Sequence, residues 1–157
     1  MIGKLKITMV IVLLLAANAV ADDYRAKNND EIEVFVAVLR SEVSANNWNT
    51  NDVICFSIRG SDPSKKLVDT LRRRKLNVCS EAEWRRKLAC PFSVWLEPVT
   101  FDSAEEARIH FQSADLREVN TGEIHFASGL RGGEYSLKKN GGGWSIVRYV
   151  SKERPDK

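Results

Sequence analysis

Apolar positions recur along this chain at two spacings, and the spacings divide it. Ile32, Phe35, Leu39 and Val43 return at helical intervals, with Val36 widening the stripe, which predicts an amphipathic helix over 31–43. Residues 31–38 also alternate and admit a strand, but the pattern continues through Leu39 and Val43, which favours the helix. Asp30 reads as its cap, with Glu31 and Glu33 in a first turn whose dipole favours acids. The run 53–58 (VICFSI) is short, rich in β-formers and followed by Gly60, hence a strand. Asp62 and Pro63 then open a second helix. It carries Leu67, Val68 and Leu71 on one face and closes on Arg72, Arg73, Arg74 and Lys75, where cations suit the dipole.

From Phe92 the period shortens to two. Segments 92–101, 107–117, 122–128, 133–139 and 144–150 read as strands, and Pro98 places the first of them at a sheet edge. The joints at 120–122, 129–133 and 140–143 are rich in glycine, so successive strands form an antiparallel meander. Asn140-Gly141-Gly142-Gly143 is a hairpin loop; a phosphate cradle is excluded because no helix follows and the P-loop Lys-Ser/Thr pair is missing. Helix, strand, helix and then an antiparallel sheet of four or more strands make an α+β domain. Segment 80–90 stays open. Ser80 with Glu83 reads as a capping box and Trp84 with Leu88 stand four apart, but a loop fits as well.

The first 21 residues have a different composition. Lys4 and Lys6 precede an apolar run over 7–17, and Ala19-Val20-Ala21 is a small-residue cleavage site before Asp22-Asp23. That is the order of a secretory signal peptide, and the run is shorter than the roughly 20 residues of a membrane span. An uncleaved anchor is the alternative. The expectation is one domain over 22–157, periplasmic or secreted, with no membrane anchor after cleavage. The chain has 24 basic and 21 acidic residues; losing Lys4 and Lys6 leaves 22 against 21, a balance of +1. Such a domain offers no general argument for nucleic acid as a partner. No Asn-x-Ser/Thr sequon follows the leader, which favours a bacterial periplasm.

Cys55, Cys79 and Cys90 include no Cys-x-x-Cys, so redox and zinc-ribbon readings have no support. Export favours one disulfide. Cys79 is its expected member, with Cys55 as partner because strand, helix and return bring 79 back beside the strand. A Cys79–Cys90 bridge is the alternative, open if 80–90 is a loop and closed if it is a helix, which would hold them roughly 16 Å apart.

The strand-hairpin-strand GEYSLKKNGGGWSIVRYV, with an aromatic-bearing strand, a glycine turn and a Trp opening the last strand, resembles the closing hairpin of small exported bacterial proteins of uncharacterised function. VICFSIRGSDPSKKLVDTL is similar to the front of those proteins. At the level of fold, 92–150 resembles the cystatin-like and nuclear-transport-factor-like group, which implies a helix cradled by a curved sheet. The resemblance carries no active-site residues, and fold alone does not give function.

Candidate chemistry is sparse. His110 and His125 each stand between Ile and Phe, so both face away from the core. With Glu123 they could hold a divalent metal; two solvated histidines are the plain alternative. No Gly-x-Ser-x-Gly elbow is present and Cys55 lies in an apolar strand, so no catalytic residue and no cofactor are assigned. Trp48, in an Asn-rich loop, and the basic spots Arg72, Arg73, Arg85 and Arg86 are candidates for a binding surface; core packing of Trp48 and solvated helix ends are the alternatives. Two functions follow. One is an exported, non-catalytic interaction domain whose partner is another exported protein. The other is a small-ligand or enzymatic domain with a pocket between helix and curved sheet. A polar, hollow interior would favour the second and a filled apolar interior the first.

Overall fold

The computed structural model describes residues 23–80, 82–83, 92–115 and 127–152, the first three of β6 below by backbone alone. Helix α1 is Asn29–Ala45. Its cap is Asn28 rather than Asp30: the Asn28 Oδ1 accepts from the Glu31 N–H at 2.8 Å. Glu31 is buried at this end and accepts from the Tyr24 hydroxyl and the Lys27 N–H, both at 2.6 Å. Strand β1 is Ile54–Ile58 and helix α2 is Lys65–Arg73. Ser64, not Asp62, caps α2, accepting from the Leu67 N–H at 3.3 Å. Val78–Ser80 forms β2, a strand of only three residues that alternation could not reveal.

The remaining strands are β3 (Phe92–Leu96), β4 (Thr100–Phe101), β5 (Glu106–Asp115), β6 (Ala127–Asn140) and β7 (Gly143–Ser151). They build one mixed sheet of seven strands in the order β2-β1-β3-β5-β6-β7, with β4 on β5. β2 and β3 flank β1 and run parallel to it. A parallel neighbour needs a crossover, and α2 supplies it between β1 and β2. From β3 onward every pairing is antiparallel, so the predicted α+β architecture and its meander are present.

Two details of the meander differ from expectation. Pro98 lies between β3 and β4, and β3 is interior to the sheet, so the edge position is wrong. Gly132 and Gly133 do not turn the chain; they lie inside β6, which joins the end of the expected strand 122–128, at 127–128, to the expected strand 133–139, while 122–126 lie outside the described residues. A side chain on Gly133 would run into the carbonyl oxygen of Val150 and the ring of Tyr149, so glycine here permits close approach by β7.

The helices rest on the sheet through one apolar cluster. It joins Phe35, Val38 and Leu39 of α1 and Leu67 and Leu71 of α2 to Phe56, Ile58, Val94, Ile109, Phe111 and Leu137 of the strands. β5 shows the two faces: Ala107, Ile109, Phe111 and Ser113 are buried, while Glu106, Arg108, His110 and Gln112 are exposed. No described helix is long and apolar enough to cross a membrane. The expected leader over 1–21 lies outside the described residues.

Candidate functional site

α1 buries two acids, Glu31 in its first turn and Glu42 on its core-facing stripe near the other end. Glu42 is 0% exposed, where a carboxyl group must be hydrogen-bonded to be tolerated. Its Oε1 accepts from the Tyr135 hydroxyl of β6 at 2.6 Å. Its Oε2 accepts from the Ser113 hydroxyl of β5 at 2.6 Å and from Asn46 Nδ2 at 3.1 Å. Arg131 of β6 completes the group: one guanidinium nitrogen donates to the Tyr135 oxygen at 2.9 Å, and Nε faces Glu42 at 3.8 Å, beyond hydrogen-bond range. The Arg131 guanidinium also stands 4.4 Å from the centre of the Tyr149 ring, a cation–π distance. The Tyr135 ring stacks on Phe111 at 4.6 Å. Burial, and then the bond to Glu42, push the Tyr135 hydroxyl pKa well above its ordinary value.

Arg131 is also part of the wall of a groove. At one level of the sheet Arg59 follows β1, Glu97 follows β3, and Phe111, Gly133 and Ser151 stand across β5, β6 and β7. Along this level runs a half-open groove of about 740 Å³, lined by Arg59, Trp95, Glu97, His110, Gln112, Arg131 and Tyr149 among others. Arg59 and Glu97 pair at 3.4 Å. His110 Nε2 meets Glu134 at 3.0 Å, and Arg108 approaches the same carboxyl at 3.8 Å. A second hollow, of about 500 Å³, lies at the N-terminal end of α1 against the β6–β7 hairpin, lined by Asp30, Glu33, Arg74, Lys139 and Trp144 among others. Asp30 joins helix to hairpin, accepting from Lys139 Nζ at 2.7 Å and Trp144 Nε1 at 3.1 Å.

The sequence candidates fare unequally. Trp48 is 7% exposed and stacked on Phe92 at 4.6 Å, so it is a core residue and not a binding surface. Burying so large a ring outweighs the polarity of its loop. Arg72 is exposed but donates to the Val78 carbonyl at 3.0 Å and to Glu83 at 3.2 Å, fixing the return from α2 to β2. Arg73 bonds Thr70 at 2.9 Å. Arg85, Arg86 and Cys90 lie outside the described residues. So do His125 and Glu123, which leaves His110 on the exposed face as expected, with Glu134 beside it. Among the described residues no group of three metal-ligating side chains comes together. Ser80 and Glu83 do form the reciprocal capping box, with both bonds at 3.1 Å. Cys55 and Cys79 stand opposite each other on β1 and β2 with sulfurs 2.7 Å apart, a contact longer than the roughly 2.05 Å of an S–S bond, so the two are neighbours without being bridged.

Sequence reasoning missed Glu42, Ser113, Tyr135 and Arg131. The signal for Glu42 was present: it stands seven residues after Phe35 and three after Leu39, on the apolar stripe. Ser113 likewise continues the inward phase of Ile109 and Phe111. Arg131 was hidden by reading 129–133 as a turn. Compared with known protein families, curated proteins and solved structures, the chain matches none.

Proposed function

We propose that residues 22–157 act as an exported, non-catalytic interaction domain whose partner is another exported protein, held together in part by a disulfide at Cys55. One observation carries the reading. The buried carboxyls Glu31 and Glu42, and the hydroxyls of Ser113 and Tyr135, are bonded to one another or to backbone, inside an otherwise apolar core. Catalysis needs a nucleophile, a base and a charge stabiliser converging on a vacant position where a substrate atom can sit. Here these groups converge on each other. Among the described residues Ser57 Oγ, which is buried, has no hydrogen-bond partner and so no base in hydrogen-bond reach. The groove of about 740 Å³ has no residue of α1 in its wall and the second hollow touches only the N-terminal end of that helix, which supports the outside of the domain as the working surface. The leader pattern over 1–21 supports export, and an oxidising compartment supports the disulfide.

Native mass spectrometry of the protein recovered outside the cytoplasm tests all parts together. The reading expects a chain starting at Asp22, two hydrogens lighter than the all-thiol form, with Cys55 in the bridged peptide, and carrying a second protein subunit. A retained Met1 in cytosolic protein overturns export. A map with Cys55 as a free thiol overturns the bridge. A bound small molecule in place of a subunit replaces the interaction reading with the ligand-binding one.

A further inference from the structure

We infer that the open side of β7 is a docking edge for an extended acidic segment of the partner, which adds a strand to the sheet. The inference rests on the interaction reading and gives that partner its chemistry. β7 ends the strand order and pairs with β6 alone. It has nine residues and no proline, so it is neither short nor proline-blocked, and its one charged side chain is Arg148. Its register fixes which backbone groups are free. The Lys152 N–H donates to the Gly132 carbonyl at 3.1 Å, so Val150 and Arg148, stepping back by two, also turn their groups toward β6. Tyr149 and Ser151 therefore present N–H and C=O outward.

The side chains along this edge suit a strand of alternating apolar and acidic character. Val147, Tyr149 and Val150 are large apolar groups left exposed, Val147 by 52%. Val147 is the extra residue of a bulge, since Ser136 pairs with Arg148 and Leu137 with Ile146. Charge selects the partner. Over 127–152 five cations, Arg131, Lys138, Lys139, Arg148 and Lys152, face one acid, Glu134. Glu134 is already engaged by His110 and Arg108. Lys138, Lys139 and Arg131 pair with Glu106, Asp30 and Glu42 respectively, whereas Arg148 and Lys152 have no ion-pair partner among the described residues. Both stand at the edge. A second copy of the chain fits poorly, because a two-fold antiparallel pairing centred on β7, at Val147, sets the two Arg148 side chains as diagonal neighbours on one face, within reach of each other's like charge.

The test uses the full mature chain and two synthetic probes, a peptide alternating Glu and Val and its Lys–Val counterpart. Binding is read by fluorescence anisotropy and by exchange protection of single amides. The acidic peptide is expected to bind in preference and to protect the Tyr149 and Ser151 amides. Arg148→Glu should weaken it about tenfold and shift preference toward the Lys–Val peptide. Ser151→Pro removes only an outward donor, so it should abolish binding at an unchanged melting temperature. Equal binding of both peptides, no binding, or binding indifferent to Ser151→Pro overturns the inference. So does a concentration-dependent dimer lost in Ser151→Pro, which assigns the edge to a second copy. A natural partner still captured by the Ser151→Pro protein overturns the docking edge and leaves the interaction reading standing; absence of any partner removes that reading itself.

Discussion

The Tyr135 hydroxyl of β6 and the Glu42 carboxyl of α1 are joined by a 2.6 Å hydrogen bond across 93 residues of sequence. It ties the helix to the far half of the sheet at a depth where neither group meets water. Glu42 also holds Ser113 of β5, so a single carboxyl fixes the helix to two adjacent strands. Removing it leaves the Ser113 and Tyr135 hydroxyls without their acceptor and takes the nearest carboxylate from Arg131. Glu42→Ala is expected to cost about 3 kcal/mol, by analogy with breaking one side of a buried charged pair. Tyr135→Phe should cost only about 1–2 kcal/mol, since it deletes one hydrogen bond and keeps the ring stacked on Phe111. Urea denaturation of both variants measures the difference, and equal losses would mean that the carboxyl matters only through Tyr135.

The same tyrosine makes stability sensitive to alkali. Its folded pKa is raised above the unfolded value of about 10, chiefly by burial and then by the bond to Glu42. The folded state therefore keeps its proton longer than the unfolded one. Stabilisation is complete below about pH 10 and falls as pH rises toward the folded pKa. Tyr24, raised by burial and by its bond to Glu31, acts in the same sense. Melting temperature followed upward from pH 8 should fall less steeply in Tyr135→Phe than in the parent; parallel curves would contradict the coupling.

Much of the fold was legible in the sequence, and the misses have physical causes. The helical stripe from Ile32 to Val43, the run at 53–58 and the strand alternation after Phe92 all report burial on one face, which sequence period encodes directly. Both caps lie two residues from the expected ones, at Asn28 for Asp30 and at Ser64 for Asp62, because neighbouring polar residues compete for the same orphan N–H groups. Gly132 and Gly133 were read as a turn because glycine marks both a turn and a close backbone approach, and only the position of β7 separates the two. The Glu42 group was not visible because each member obeys its own strand or helix pattern and the four meet only through tertiary packing. Trp48 shows the converse: a polar loop sequence delivers its one large ring to the core.

Gly133 offers a direct check on that second use of glycine. The Cβ of an alanine there would meet the Val150 carbonyl oxygen, part of the β7 backbone, which cannot swing aside as a side chain can. Gly133→Ala should lower stability by about 2 kcal/mol and loosen β7, whereas Gly142→Ala, with open space around it, should be nearly neutral. Thermal unfolding of the two proteins, with exchange protection at Val150, reads both effects.

The central claim is that this domain works through its exposed edge, and photo-crosslinking in the living cell tests it most directly. A photoreactive residue placed at Val147, beside the open side of β7, is compared with one at Lys66 on the exposed surface of α2. The account predicts a discrete protein adduct from position 147, none from position 66, and loss of the adduct when Arg148→Glu is added. An adduct from position 66 alone, or from 147 but indifferent to Arg148→Glu, would contradict it.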